Sequence, residues 1–275
     1  MSGMLLVVGT PIGNLSDMSP RAVEAMKNAD FIAAEDTRVT VKLLNHFNIK
    51  KPMISYYEHN MREKGALICD RIAAGEICVL VSDAGMPAIS DPGELLVREC
   101  FARELPVSVV PGPSAVVSAL AISGLSTGRF TFEGFLSMNK KSRREHLSSL
   151  RRERRTMVFY EAPHKLPATL TDMLEAFGDR RVSLVRELTK IHEEVIRTTL
   201  SEAAARFGAE TPKGEFVLVL EGAKDEEVTP ATLEDALLIA RTLMEKGAST
   251  SDAAKQAAAA TGRKKGEIYK ALLSL

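Results

Sequence analysis

Short apolar runs and helical patterns alternate over the first 125 residues of the chain. The apolar runs are Met4–Val8, Phe31–Ala34, Ile77–Val81 and Val107–Val110, and none of them contains a charged residue. Such runs predict strands that are buried on both faces. The amphipathic segments between them predict helices around residues 21–28, 39–47, 64–74 and 94–102. Apolar strands separated by helices predict a parallel sheet that is covered on both sides.

The second half of the chain has a different pattern. Apolar-rich segments with fewer helices between them predict a mixed sheet, with strands at residues 156–160, 182–188, 194–200 and 215–221. Three short helical patterns follow, at residues 232–246, 251–261 and 264–275. We therefore predict an α/β protein with two α/β domains, residues 1–125 and 126–222, and a small helical unit at residues 228–275.

The uncharged stretch at residues 105–128 needs a separate interpretation, since a long uncharged run can span a membrane. Its prolines, glycines and hydroxyl residues would leave backbone groups unsatisfied in lipid, so it predicts a buried strand, a tight turn and a buried helix. The apolar run at the N-terminus is too short for a secretory signal. Three cysteines without a CxxC pair favour a reducing compartment. We expect a cytoplasmic protein with no membrane association.

Charge is segregated along a chain that has 36 basic and 36 acidic residues. Residues 140–155 carry a net charge of +6, residues 221–235 carry −5, and residues 263–270 carry +3. A basic run is usually a solvated surface, but +6 within sixteen residues of a neutral protein favours phosphate binding. No aromatic residue interrupts the run, so base stacking is not indicated there.

Three Gly/Pro-rich segments follow predicted strands, at residues 9–14, 82–93 and 111–115. Ligands of open α/β sheets bind beyond the carboxyl ends of the strands, so these segments predict a shared pocket. The signatures of dinucleotide, P-loop and zinc-protease sites are absent from the sequence. The segment around Ser114 lacks the final glycine of a hydrolase nucleophile elbow. No metal site is predicted.

Seven motifs in order give the chain a resemblance to a known family. They are GTPIGNL, AEDTR, SDAGMPAISDPG, VVPGPSA, FYEAPHK, ELTKIHEE and KGEF, between residues 9 and 216. They closely resemble the ribosomal RNA small-subunit methyltransferase I family, of the tetrapyrrole-methylase-like fold class. The resemblance implies methyl transfer from S-adenosylmethionine to the ribose 2′-oxygen of one cytidine in the decoding region of 16S ribosomal RNA. It also implies a cofactor cleft between two α/β domains, and a homodimer.

The resemblance assigns cofactor-binding roles to residues of these motifs. They are Pro11, Asp83, Gly85, Met86, Ile89, Ser114, Ala115, Tyr160, Glu161, Ala162, Gly214 and Glu215. Simpler interpretations stay open. Asp83 could cap a turn, Asp91 could cap the helix that begins near residue 94, and Tyr160 could simply pack at the end of its strand.

Methyl transfer to a hydroxyl also needs a group that removes the proton. The catalytic candidates are Glu161, His164, Asp36 and Arg38; Glu35 and Asp83 are further proton acceptors, and Lys165 and Lys190 could assist electrostatically. Residues 35–38 could equally be a capped helix start with an internal ion pair. His164 could simply start a helix, and Lys190 could lie in a solvated hairpin turn.

The basic residues are the candidates for contact with ribosomal RNA or the small ribosomal particle. They are Lys140, Lys141, Arg143, Arg144, Arg151, Arg152, Arg154, Arg155, Arg263, Lys264 and Lys265. The helical tail resembles a helix-turn-helix, and a three-helix dimerisation cap explains its pattern equally well. Two other functions stay open: methylation of a small tetrapyrrole precursor, and a non-catalytic RNA-binding role in ribosome assembly.

Overall fold

The computed structural model describes residues 3–209, 212–224, 233–245 and 247–273. The chain divides into two compact units, Met1–Ala223 and Lys224–Leu275. The first unit contains two five-stranded sheets, and the second contains helices. Within the described residues, no helix is long and apolar enough to cross a membrane.

The first sheet is parallel throughout and has the strand order β3-β2-β4-β1-β5. Its strands are β1 (Met4–Val8), β2 (Phe31–Ala34), β3 (Met53–Ser55), β4 (Ile77–Val81) and β5 (Val107–Val110). Helices α1 (Pro20–Asn28) and α2 (Thr37–His46) pack on one face, and α3 (Met61–Ala73) and α4 (Gly93–Ala102) on the other. The predicted parallel sheet with two covered faces is confirmed for its central strands.

The two edge strands differ from what the sequence predicted: one was missed and the burial of the other was wrong. Strand β3 was not predicted, because three residues form no recognisable apolar run. Strand β5 was predicted to be buried on both faces, yet Val107 and Val109 are 38% and 51% exposed. β5 pairs only with β1, so this uncharged run forms an edge strand of the sheet and not a buried interior strand.

The second sheet is mixed, as predicted, with the order β6-β7-β10-β8-β9. Its strands are β6 (Phe130–Phe135), β7 (Thr156–Glu161), β8 (Arg181–Arg186), β9 (Glu194–Thr199) and β10 (Phe216–Leu220). Only the β6–β7 pair is parallel. Strand β6 was not predicted, because its sequence FTFEGF contains no continuous apolar run. Its pairing with β7 is irregular between Phe132 and Gly134.

Helices cover both faces of the second sheet. Helix α5 (Ala115–Ile122) packs through Val116 and Leu120 on one face, although it directly follows the first sheet in sequence. Helices α6 (Lys140–Ser149), α7 (Leu166–Phe177) and α8 (Leu200–Ala209) pack on the other. The uncharged helix α5 therefore joins the two halves of the first unit, while its Val117 is 58% exposed rather than buried.

The second unit consists of α9 (Leu233–Glu245), α10 (Thr250–Thr261) and α11 (Lys265–Leu273), so the three predicted tail helices are confirmed. Small buried residues, among them Ala240 and Ala254, allow the helices to approach closely around Ile268. Ser249 caps α10, which ends at the left-handed Gly262. Residues 228–232 of the predicted unit and most of the acidic stretch lie outside the described residues.

Candidate active site

Three Gly/Pro-rich loops meet at the carboxyl edge of the first sheet, as their positions after β1, β4 and β5 predicted. Thr10 and Gly85 exchange two backbone hydrogen bonds, at 2.9 and 3.1 Å. Gly9 and Gly112 lie so close that a Cβ on Gly9 would be 2.7 Å from the Gly112 Cα. Only glycines allow this approach, because any side chain would collide with the opposing backbone.

The loop between β4 and α4 has a strained backbone that Asp91 holds in place. Ala88 and Ser90 have φ angles of +67° and +65°, which L residues rarely adopt. The Asp91 carboxylate accepts hydrogen bonds from the backbone N–H groups of Ala88 (2.9 Å) and Gly93 (2.8 Å). The N-cap residue of α4 is Pro92, so Asp91 is not the N-cap that the sequence allowed for; it binds the first N–H group of the helix from the preceding position.

A cavity of about 520 Å³ lies between these loops and the second sheet. All the cofactor-binding candidates except Pro11 and Gly214 line it. Pro11 lines a neighbouring hollow. Gly214 instead supports the wall, since a Cβ there would be 2.5 Å from the Glu187 side chain. The cavity is also lined by Ile12, Glu35, Ser82, Ala84, Ser90, Asp91, Phe135, Pro163, Val185, Leu188, Lys190, Phe216 and Val217.

Two carboxylates in the cavity wall have raised pKa values. Burial, and then repulsion from Asp83, raise the pKa of Glu35. Burial is also the largest cause that raises the pKa of Asp83, whose Oδ1 accepts the Asp36 N–H at 3.1 Å. A bound cation would favour the ionised form of both groups. This part of the cavity therefore suits a positively charged ligand.

Asp36 begins helix α2 and holds Arg38. Its carboxylate accepts the Arg38 backbone N–H at 2.8 Å and forms a two-pronged ion pair with the guanidinium, with contacts of 2.6 to 3.2 Å. Hydrogen bonds from Arg38 lower the pKa of Asp36 to about 2. The capped helix start with an internal ion pair is thus present. The Arg38 side chain is nevertheless 88% exposed, so it keeps access to a ligand.

Glu161 lies at the end of β7 with its carboxylate fully buried. It accepts hydrogen bonds from the Thr169 hydroxyl at 2.6 Å and from the Ala162 N–H at 2.9 Å, and its Oε1 is 3.2 Å from Lys165 Nζ. These contacts fix Glu161 rigidly in the cavity wall. His164 is exposed in the turn before α7 and does not line the cavity.

The turn between β8 and β9 closes the cavity from the second sheet. Lys190 Nζ lies 2.9 Å from both Glu187 and Glu215. Partial burial would lower the pKa of Lys190, but its hydrogen bonds to these two carboxylates raise it overall. A Cβ on Gly13 would be 2.6 Å from the Lys190 side chain, so this turn packs tightly against the loop after β1.

Phe135 is the lining residue that sequence reasoning missed most completely, because β6 was not predicted. Its ring is 57% exposed and lies 5.3 Å from the Tyr160 ring, which also contacts Phe132 at 5.0 Å. The irregularity in β6 at Gly134 precedes Phe135. One indication of this aromatic cluster was present in the sequence, which was the position of Tyr160 at the end of an apolar strand.

One basic candidate is corrected by the structure. Arg143 is not available to RNA, because its side chain is only 9% exposed and its guanidinium pairs with the buried Asp172 at 2.7 Å. Arg144 also contacts Asp172, at 2.9 Å, but is 44% exposed. Helix α6 is shorter than the charge run: it ends at Ser149, and residues 150–155 form a turn and a loop.

The remaining basic candidates are distributed over both units. Lys140, Lys141, Arg151, Arg152, Arg154 and Arg155 are exposed on the first unit. Arg155 is paired with Glu153 at 2.6 Å. In the second unit, Lys264 and Lys265 are exposed, while Arg263 is half-buried and pairs with Glu267 at 2.8 Å.

Comparison with known proteins identifies relatives of this chain. The family model of the Tetrapyrrole (Corrin/Porphyrin) Methylases matches residues 4–204. A protein of Synechocystis sp. named ribosomal RNA small subunit methyltransferase I is 47% identical over 99% of this chain and 98% of its own length. Proteins with that name from Thermotoga maritima and Bacillus subtilis are 48% and 42% identical, over 80% and 98% of this chain and over 99% and 94% of their own lengths.

Solved structures share the fold at low sequence identity. The methyltransferase CobJ superposes with a TM-score of 0.59 at 19% identity, over 81% of this chain and 95% of its own. A uroporphyrin-III C-methyltransferase from Thermus thermophilus, solved with S-adenyl homocysteine, gives 0.56 at 18% identity over 79% of this chain and 96% of its own. The chain therefore belongs to the tetrapyrrole (corrin/porphyrin) methylase family and, within it, to the group of ribosomal RNA small subunit methyltransferase I proteins.

Proposed function

We propose that this protein transfers a methyl group from S-adenosylmethionine to the ribose 2′-oxygen of a cytidine in small-subunit (16S) ribosomal RNA. The observation that carries the proposal is the identity of 47% over nearly the whole chain to a protein named for that RNA. The cavity between the two sheets supports it, because its walls suit the cofactor.

The lining residues match the chemical groups of S-adenosylmethionine. Glu35 and Asp83 supply negative charge for its cationic groups. The first backbone N–H groups of α5, near Ser114 and Ala115, suit its carboxylate. Apolar side chains such as Met86 and Val185 suit the adenine ring. When bound, the cofactor supplies an electrophilic methyl group on a sulfonium.

The chain must then orient the ribose hydroxyl and accept its proton. We assign proton removal to Glu35, because it lines the cavity and its raised pKa makes it a stronger base than an ordinary glutamate. Asp36 positions Arg38, whose exposed guanidinium suits a phosphate of the substrate. Glu161 positions the cavity wall through Thr169 and Lys165. The exposed His164 stands outside this arrangement and has the weakest support among the catalytic candidates.

The RNA contacts extend beyond the cavity in this proposal. Exposed basic side chains provide positive charge for the RNA phosphate backbone, and they are Lys140, Lys141, Arg151 and Arg152. A second copy of the chain is the other proposed partner, and the exposed valines of the edge strand β5 support an interface there. A protein that modifies ribosomal RNA in this way works in the cytoplasm.

The proposal is tested by transfer of tritiated methyl groups from S-adenosylmethionine. The acceptors are small ribosomal particles from a strain that lacks this gene, free ribosomal RNA and a tetrapyrrole precursor, and nuclease mapping locates the label. We expect label on one cytidine ribose. Label only on the tetrapyrrole would move the activity to small molecules. Cofactor binding without label on any acceptor would favour a non-catalytic assembly role.

Replacement of Asp83 tests the cofactor assignment. Asp83→Ala removes a carboxylate from the cavity, and we expect cofactor affinity to fall roughly tenfold to a hundredfold, since a hydrogen bond to a charged group contributes about 1.5–3 kcal/mol. Titration calorimetry measures this effect. Glu24→Ala on the exposed surface of α1 is the control. Equal affinity in wild type and Asp83→Ala would contradict the assigned role.

A further inference from the structure

A second hollow adjoins the cofactor cavity on the other side of Asp83. It has a volume of about 260 Å³ and shares Ser82 and Asp83 with the larger cavity. The loop after β1 forms one wall and helix α2 forms the other. Its remaining lining residues are Thr10, Pro11, Gly13, Leu15, Val39, Thr40, Lys42 and Leu43.

The walls of this hollow combine exposed apolar surface with a cation. Leu15 and Val39 are 43% and 40% exposed, although large apolar side chains are usually covered. Val39, Lys42 and Leu43 share one face of α2, because residues three and four apart on a helix are neighbours. Lys42 is exposed beside this apolar surface.

A second cation lies one helical turn from Lys42. Arg38 precedes Lys42 by four residues on α2; its guanidinium pairs with the Asp36 carboxylate at 2.6 Å, and its side chain is 88% exposed. Lys42 and Arg38 therefore lie along one side of the helix, and Arg38 keeps an exposed guanidinium although Asp36 offsets its charge. Exposed apolar side chains next to two cationic side chains suit a nucleotide, whose base needs an apolar contact and whose phosphate needs positive charge.

We propose that this hollow binds a single-stranded nucleotide that flanks the methylated one, with its base against Leu15, Val39 and Leu43 and its phosphate at Lys42 and Arg38. This inference rests on the proposed function. Continuity with the cofactor cavity supports it, because the reacting ribose must lie in the larger cavity and the adjoining nucleotide must lie next to it. The hollow then positions the RNA strand and is a determinant of which nucleotide reaches the methyl group.

Paired substitutions on exposed positions test the inference. Lys42→Glu reverses the phosphate-binding charge, and Val39→Asp places a negative charge on the apolar wall. The matched controls are Lys27→Glu, an exposed lysine at the far end of α1, and Val41→Asp, a valine of similar exposure on α2 that does not line the hollow. The measurements are KM for undermethylated small ribosomal particles, kcat at saturating particle, and cofactor affinity by calorimetry.

The expected result separates substrate positioning from damage to the fold. Lys42→Glu and Val39→Asp should each raise KM for the particle by about tenfold, because the first repels the phosphate and the second places a charge against the base. Cofactor affinity should stay at the wild-type value, and both controls should behave as wild type. An unchanged KM in Lys42→Glu, or equal effects in Val39→Asp and Val41→Asp, would overturn the inference. A wild-type protein that does not methylate the particle would instead overturn the proposed function.

Discussion

At the scale of single residues, the site is defined by the charge states of two acids. The Glu35 and Asp83 carboxylates line the same cavity, and the Asp83 N–H contacts Glu35 Oε2 at 3.5 Å. Their raised pKa values mean that the cofactor-free fold binds protons more tightly than the unfolded chain does. Their contribution to stability is therefore present at low pH and is lost as the pH rises through their folded pKa values.

The same titration predicts how cofactor binding depends on pH. A cationic ligand prefers the ionised carboxylates, so affinity should increase as the pH rises above 4.5, the ordinary value for glutamate. Glu35→Gln removes one titrating group and should make cofactor affinity less dependent on pH. Because we assign removal of the ribose hydroxyl proton to Glu35, the same variant should also reduce kcat by about a hundredfold or more. Calorimetry between pH 4 and about 8 measures the first effect.

Glu58→Gln is the control for this prediction, since Glu58 lies on the surface away from the cavity lining. Identical pH profiles for wild type and Glu35→Gln would show that Glu35 does not govern cofactor binding. A kcat close to wild type in Glu35→Gln would assign proton removal to another group.

At the scale of elements, helix α6 shows how a charge run can have two different roles. Arg143 and Arg144 hold α6 against α7 through Asp172, whose carboxylate is 4% exposed. Burial alone would raise the pKa of Asp172, but its hydrogen bonds from the two arginines lower it. The next bases along the run are solvent-exposed. The basic run therefore has two parts: Arg143 and Arg144 stabilise the packing of α6 on α7, and the exposed arginines that follow are available to bind phosphate.

Asp172→Ala should destabilise the protein strongly, because it leaves the buried Arg143 without its counterion. Breaking one side of a buried ion pair costs about 3–5 kcal/mol. Glu175→Ala is the matched control, because Glu175 lies on the same helix as Asp172 and also pairs with Arg144. Glu175 is 62% exposed, and exposed ion pairs contribute about 0–1 kcal/mol. Urea unfolding measures both variants. Equal stability of the two would contradict the structural role of Arg143.

At the scale of the whole molecule, the residues that line the cavity and the three tail helices belong to different units of the chain. Every residue that lines the cavity belongs to the unit Met1–Ala223. The three tail helices carry their own buried centre around Ile268.

A chain that stops at Ala223 should therefore keep its cofactor affinity within about twofold, because every described residue that lines the cavity belongs to the first unit. We expect it to lose either RNA engagement or dimerisation. Sedimentation distinguishes the two: a dimer with a raised KM for the ribosomal particle indicates an RNA-binding tail, and a monomer indicates a dimerisation cap. Loss of cofactor affinity in this shorter chain would contradict the independence of the cavity.

The sequence by itself determined the central strands, most of the helices and the three loops that meet at the site. The uninterrupted apolar runs of β1, β2 and β4 predict buried strands, which the structure contains. Glycines such as Gly9 and Gly112 lie where two backbone segments are in close contact. These features are local, or they depend on one type of residue, so they can be recognised along the chain.

Only the tertiary structure decided which side chains share a surface. Strand β5 is exposed because it forms an edge, and Arg143 is buried because α7 presents Asp172 to it. Phe135 and Lys190 reach the cavity from different elements of the second sheet, and the hollow beside Lys42 exists only where α2 meets the loop after β1. Such contacts join residues far apart in sequence, and their geometry depends on packing that no local pattern contains.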